Sequence, residues 1–245
     1  VIFLGLVFSS ILIPFTNKKY SLIGAVFFFT ILILQDINRL EANSYHFYIM
    51  IVVASIYYWN QKQQSQLFIF CFQLIFIGIY FWTGFHKLNI HTQSTYEWLM
   101  GIFEITKPLS KYTNASYVLG LVELALGIGL CVTENKIRRF FIIGLGFLHC
   151  LILASLISNM WMAYVWPWNF MMFFCVVVLF WSGKSLKNNF QEVVNVLKTK
   201  LSLLEKVKYY CLVISIFFLF LIAPAGNIVG IWPNTISFIM YTNLD

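Results

Sequence analysis

Eight apolar runs divide this sequence, and they constrain its fold more than any other feature. A helix needs about 20 apolar residues to cross a membrane, and most of the runs approach that length. They are too long and too uniform for the alternating strands of a β-barrel. We therefore predict an all-α integral membrane protein with about eight transmembrane helices. The runs cover residues 1–15, 20–34, 45–59, 67–85, 115–132, 140–157, 163–181 and 209–231.

Composition supports a membrane protein and excludes a water-exposed fold. Of the 245 residues, 60% are hydrophobic and only 10% are charged, whereas soluble domains carry about a quarter charged residues. The five cysteines stand singly without a CxxC pair, so neither a disulfide framework nor a metal site is predicted. The chain begins on Val1 inside an apolar run, and we expect further residues to precede it.

The basic residues are distributed unevenly between the two sets of loops that alternating spans create. One set holds twelve of the sixteen Lys and Arg residues. Because cytoplasmic loops are enriched in Lys and Arg, this set is predicted to be cytoplasmic, in a bacterial cytoplasmic (inner) membrane. The opposite face then carries His86, Lys87 and the loop 88–114, in which aromatic residues such as Trp98 predict an interfacial helix above a cavity.

The segment 183–208 separates the main bundle from one last span. Its apolar residues recur at helical spacing beside lysines, which predicts a cytoplasmic amphipathic linker that contacts anionic lipid. The sequence contains no Gly-rich phosphate loop or zinc spacing, so no nucleic-acid partner is predicted. Residues 209–245 are predicted to form the final transmembrane helix and a short non-cytoplasmic tail. The apolar positions are Val193, Val194, Leu197, Leu201 and Leu204.

Ionisable residues at membrane depth need a reason, since a charge at a span centre costs at least ~2.5–3.5 kcal/mol. Glu123, His149 and Lys87 lie in the fifth run, in the sixth run and at the end of the fourth. Each has an ordinary explanation: Lys87 snorkels to the interface, Glu123 and His149 bond a neighbouring helix, and His86 is a loop residue. The alternative prediction is that they line one outward-facing cavity among spans four to seven.

Three stretches resemble the membrane domain of vitamin K-dependent γ-glutamyl carboxylases, within the horizontally transferred transmembrane (HTTM) superfamily. FWTGFHKLN is similar to the end of a tyrosine-rich span that finishes in Ala-Gly-x-Lys-Lys-Leu-Asp, and LVELALGIGLCV resembles the acidic span. FLHCLILASLISNMWMAYVWPWNFMM resembles the His-containing span and the turn after it. The resemblance is strongest over 40–182 and implies an HTTM-like bundle over 1–182.

The resemblance implies roles for particular residues. In the carboxylases, the second lysine of the pair deprotonates vitamin K hydroquinone, and this role falls on Lys87. The other candidate catalytic residues are His86, Glu123 and His149. The candidate cofactor-binding residues are Tyr80, Trp82 and Trp98, and the implied cofactor is a reduced quinone.

Two departures weaken the catalytic assignment. Tyr57 stands where the carboxylases carry a His before a Tyr-Trp pair, and His86 replaces the first lysine. After Trp181 only a linker and one span follow, so we expect peptide recognition to be absent or supplied by another protein.

Three functions remain open from the sequence. The preferred one is an accessory or assembly subunit of a membrane complex or peptide-maturation system, similar to the sporulation-delaying protein B. Such a subunit would contact membrane lipid and other protein subunits. The alternative is an enzyme that uses Lys87 as the base on a quinol-type lipid-soluble substrate. A transporter ranks last, because no half-to-half repeat is evident.

Overall fold

A computed structural model describes most of the chain. The described residues are 17–36, 41–59, 65–88, 93, 97, 100–102, 107–111, 115–158, 165–181, 183–199 and 201–233. The predicted first span and most of the predicted interfacial helix, including Trp98, lie outside these ranges.

The described residues form helices and no strands, which confirms the all-α prediction. We number eight α-helices in chain order. A π-helical segment, Phe218–Ile222, and a 3₁₀ segment, Ala223–Val229, extend the last of them, and a 3₁₀ turn covers Lys107–Lys111. The helices are α1 Lys18–Gln35, α2 Ala42–Trp59, α3 Ser65–His86, α4 Ala115–Gly129, α5 Asn135–Ser158, α6 Trp166–Phe180, α7 Leu186–Thr199 and α8 Leu203–Phe217.

Four helices within the described ranges are long and apolar enough to cross a membrane. They are α1, α3, α5 and the continuous helical stretch Leu203–Val229. Two shorter apolar helices, α6 and the stretch Tyr117–Gly129 of α4, are also present. The structure thus supports a helical membrane protein, while the total of eight spans remains a prediction.

Helix α3 lies at the centre of the bundle. Of its most apolar stretch, 83% is buried inside the protein, compared with 17% for α1 and 22% for Leu203–Val229. A helix that is apolar on all sides is expected at the core of a bundle. The segment that ends in His86 and Lys87 is therefore surrounded by other helices.

Contacts at one end of the bundle show that α2 runs opposite to α1 and α3, and that α3 and α8 start at the same end. The Lys19 amine lies 3.7 Å from the centre of the Trp59 ring, so the start of α1 meets the end of α2. Tyr57 packs on Phe68, near the start of α3, with ring centres 4.7 Å apart. Phe68 also contacts Tyr209, near the start of α8, at 6.5 Å. We call this end the basic end, and Lys87 lies at the opposite end.

Arg138 fastens α5 to α6 at the basic end. Its guanidinium is fully buried near the start of α5. It donates to carbonyl groups that follow α4 and end α6, where the helix dipole favours a cation. The acceptors are Phe180 O at 3.0 Å, Gly183 O at 2.8 Å, Val132 O at 3.0 Å and Asn135 Oδ1 at 2.5 Å.

Glycines let α3 and α4 approach closely. A Cβ on Gly84 would lie 2.5 Å from the backbone nitrogen of Leu124, and a Cβ on Gly127 would lie 2.7 Å from Tyr80 Cβ. Small residues at such contacts are typical of membrane helices. Glu123 precedes Gly127 by four residues, so it shares the face of α4 that packs on α3.

The amphipathic linker forms α7, and its buried face packs on the protein. Asn189 donates to Gln73 Oε1 at 2.9 Å, and Phe70 contacts Phe190 with ring centres 5.7 Å apart. Val193 and Leu197 are 2% and 4% exposed. Much of the apolar face assigned to lipid is thus covered by α3 and its neighbours.

The last span begins earlier than its apolar run predicts. Helix α8 starts at Leu203 rather than Tyr209, because Ser202 and Glu205 form a capping box. In this arrangement the Ser202 side chain accepts from the Glu205 amide while the Glu205 carboxylate accepts from the Ser202 amide. The cap extends the helix through polar residues that the hydrophobicity pattern assigns to the linker.

Candidate functional site

Lys87 and Glu123 form an ion pair inside the bundle. The Lys87 amine donates to Glu123 Oε2, and the two residues are 4% and 6% exposed. Thr83 Oγ1 donates to the other carboxylate oxygen at 2.5 Å. The lysine therefore turns inward instead of snorkelling to the interface.

The spacing of polar residues on α3 explains how the pair forms. Tyr80, Thr83 and Lys87 are three and four residues apart, which places them on one helix face. The Lys87 amide bonds to Thr83 O at 3.3 Å, so the helical path continues to the lysine. The glycines between α3 and α4 then bring Glu123 within reach of that face.

A second polar chain runs beside the ion pair. Tyr80 Oη lies 2.7 Å from His149 Nε2, and His149 Nδ1 lies 3.0 Å from Asn169 Oδ1. The Asn169 amide nitrogen donates to Val165 O at 3.1 Å, which identifies Oδ1 as the acceptor. His149 Nδ1 must then carry the proton, and the Tyr80 hydroxyl donates to Nε2. These contacts hold His149 between α3 and α6, and in a neutral ring they assign its proton to Nδ1.

Both polar chains line one small cavity among α3, α4, α5 and α6. Lys87, Glu123 and His149, three of the four residues predicted to be catalytic, meet there together with Tyr80. The volume of the cavity that is open to the centre of a water-sized sphere is about 20 Å³. A water needs at least about 10–15 Å³ by this measure, so the space has room for about one water. Pockets for cofactors are far larger, about 300–1,000 Å³.

The remaining predicted site residues lie elsewhere. His86 stacks on Trp82 with ring centres 5.4 Å apart, and neither residue is among those that line the cavity. Both are buried, at 7% and 6% exposure. Trp98 lies outside the described residues. The candidates predicted on α3 therefore form two groups: Tyr80 and Lys87 line the cavity, whereas Trp82 and His86 do not.

His46 is a buried polar residue that the sequence does not single out. It is fully buried on α2 and accepts from Trp168 Nε1 at 3.3 Å through Nδ1. Its Nε2 has no hydrogen-bond partner among the described residues. Trp168 also lines the cavity, so its hydrogen bond to His46 connects α2 to the site.

The described residues include no group of three or more His, Cys, Asp or Glu side chains positioned to hold a metal ion. The arrangement instead offers an ion pair, a neutral histidine and two hydroxyl groups in a nearly dry space. Such a set can hold helices in register or bind a single water.

Fold and site together define a helical membrane protein with a polar cluster buried in its bundle. No family model, curated protein or solved structure matches this chain. Its function is therefore argued from its own geometry.

Proposed function

We propose that this chain is an accessory or assembly subunit of a membrane complex, with a bundle that resembles the HTTM membrane domain. The observation that carries the proposal is the buried pair of Lys87 and Glu123. In an ion pair the amine is a hydrogen-bond donor, whereas a general base must present a lone pair to its substrate. The residue that resembles the carboxylase base is thus committed to holding α3 against α4.

The size of the cavity supports the same conclusion. A quinol ring cannot enter a space that holds one water, and the walls are buried core residues such as Ile79 and Met172. Binding of a quinol would require α3 to α6 to separate, which would break both polar chains. An accessory subunit with a structural role requires no such separation of the helices.

The surface of the bundle suits a chain that is embedded in lipid and other subunits. Large apolar side chains are exposed along α4 and α8, for example Val118 at 55%, Leu121 at 54% and Ile214 at 62%. We further propose that the basic end faces the cytoplasm of a bacterial cell and that Lys87 lies toward the opposite face.

The enzymatic alternative is favoured by one observation, the convergence of Lys87, Glu123, Tyr80 and His149 on a single cavity. In that alternative the Lys87 ammonium first gives its proton to Glu123, which leaves a neutral amine beside a carboxylic acid. An open state then separates the two groups, and the neutral amine accepts a proton from a quinol. His149 and Tyr80 would then contact the substrate ring.

A double variant distinguishes the two functions. Lys87→Met combined with Glu123→Leu removes the base and the charge together, so the bundle keeps its packing without an unpaired charge. An accessory subunit carrying both changes should still co-purify, in equal amount, with the partner that the unaltered chain retains through size-exclusion chromatography. The purified unaltered chain should not oxidise a reduced quinone under air.

Opposite results would replace the proposal with the enzymatic one. They are quinol oxidation by the isolated chain, its loss in the double variant, and the absence of any stoichiometric partner. The exposed Lys187→Met change serves as a control, since it also removes one lysine but lies far from the cavity.

A further inference from the structure

A second and much larger recess opens on the outside of the bundle. This groove runs between α2 and α8, with Ile23 of α1 at its edge, and has a volume of about 860 Å³. Val53 and Ile216, which are 1% and 3% exposed, form its floor. The volume lies within the range of natural ligand pockets.

The two ends of the groove are well defined. At the end opposite the basic end, Tyr45 stacks on Phe220 with ring centres 5.6 Å apart, which closes the gap between α2 and α8. At the basic end, the lining residues are Trp59 and Lys208. The groove therefore runs along the helices from a mouth at the basic end, lined by Trp59 and Lys208, to the contact of Tyr45 with Phe220.

The walls are suited to hydrocarbon. Apart from Lys208, the lining is apolar or weakly polar, and the hydroxyl group of Ser55 is bonded to Ile51 O at 2.7 Å. Two of the flanking helical stretches, α1 and Leu203–Val229, are candidate membrane spans. A groove of this kind lies within the bilayer, where the surrounding molecules are lipids.

The mouth of the groove carries positive charge. Lys208 lines it and, within the described part of the chain, makes no salt bridge. Lys19 lies over Trp59, another lining residue. The nearest carboxylate along α8, Glu205, is bonded to Ser202 in the helix cap. Basic pockets between transmembrane helices are typical binding sites for anionic lipid head groups.

We propose that this groove is a binding site for one anionic phospholipid. An acyl chain lies on Val53 and Ile216, and the phosphate group contacts Lys208 and Lys19 at the mouth. The site differs from the general lipid contact of the amphipathic helix α7, because it holds a single molecule between helices.

The test is native mass spectrometry of the full chain in detergent, titrated with phosphatidylglycerol or phosphatidylcholine of identical acyl chains. One phosphatidylglycerol should be retained at about five-fold lower concentration than phosphatidylcholine, since each lysine near a lipid surface favours the anion. Lys208→Gln should reduce that preference, because it leaves only Lys19 to contact the phosphate group. The control Lys206→Gln should not, because the Lys206 amine donates to Lys198 O and is not among the lining residues.

A paired substitution tests occupation of the groove itself. Ser215→Trp places an indole in the groove and should lower retention of phosphatidylglycerol by at least about five-fold, the preference expected for the site. Ile214→Trp should not, because Ile214 is exposed and does not line the groove. Equal retention by these two variants, or equal retention of both lipids by the unaltered chain, would overturn the proposal. Loss of a co-purifying protein in Ser215→Trp with lipid retention unchanged would also overturn it, in favour of a protein occupant.

Discussion

Lys87 and Glu123 depend on each other, because each is buried where the other is its counter-charge. Removal of one partner from a buried pair leaves an uncompensated charge, whereas removal of both leaves none. The pair therefore gives a structural reason why two costly residues are tolerated at membrane depth.

This dependence predicts a strongly non-additive result. Lys87→Met alone and Glu123→Leu alone should each lower the free energy of unfolding by about 3–5 kcal/mol. The double variant should unfold close to the unaltered protein, since Thr83 keeps its contact with Tyr80 O. Unfolding in detergent with increasing denaturant measures the three values. Losses that simply add would show that the pair contributes little.

Two of the buried histidines, His46 and His149, are predicted to carry their protons on different ring nitrogens. His149 donates to Asn169 through Nδ1, whereas His46 accepts from Trp168 at Nδ1 and so carries its proton on Nε2. Nitrogen-15 NMR of histidine-labelled protein, with the four histidines assigned by single substitutions, should show His149 protonated at Nδ1 and His46 at Nε2. Asn169→Leu should change only the signal of His149, and the same tautomer for His46 and His149 would contradict the assignment.

The sequence reveals the charged members of the site but not their partners. Lys87, Glu123 and His149 stand out because ionisable residues are rare in apolar runs. Thr83 is not ionisable, and His46 is the second residue of its run, where a polar side chain is ordinary. Their roles depend on which helices meet. From the sequence, Arg138 is predicted to be an ordinary charged residue of a loop. Its burial depends on the carbonyl groups at the end of α6, which the sequence does not place beside it.

At the scale of elements, the contact between α3 and α4 sets the geometry of the site. Its closeness depends on Gly84, where a side chain would meet the backbone of Leu124. The helix pattern predicts both helices, but periodicity does not indicate which faces approach. The same limit applies to α7, whose amphipathic character is evident from the sequence while its docking on α3 is not.

Gly84→Ala should separate α3 from α4. The new methyl group would lie 2.5 Å from Leu124 N, so overpacking should lower the free energy of unfolding by about 1–3 kcal/mol. This outweighs the roughly 0.5–1 kcal/mol that alanine gains over glycine within a helix. In Gly101→Ala the added Cβ meets nothing within 4 Å, so this control should be neutral or slightly stabilising. A stabilised Gly84→Ala variant would contradict the close packing.

At the scale of the whole molecule, most of the described basic residues lie toward the basic end, whereas Lys87 lies at the opposite end. The charge pattern predicts this arrangement without the structure, because it requires only that spans alternate. The groove between α2 and α8 is beyond sequence reasoning, since its lining comes from three separate helices.

Orientation in the membrane is tested by labelling of single cysteines. In a chain whose five native cysteines are replaced, Lys107→Cys introduces an exposed thiol on the 3₁₀ turn and Lys187→Cys one on α7, and the two positions are predicted to lie on opposite faces. A membrane-impermeant maleimide added to intact cells should label only Lys107→Cys. Both should react after the membrane is permeabilised, and labelling of only Lys187→Cys in intact cells would reverse the orientation.

The pair of Lys87 and Glu123 also has a consequence for how the protein responds to membrane voltage. A single elementary charge that moves through a potential of 100 mV exchanges about 2.3 kcal/mol with the field. The two residues together carry no net charge, so the field does no net work when they move as a unit. Loss of either partner would leave a lone charge at this depth, and the packing of α3 against α4 would then depend on the energised state of the cell.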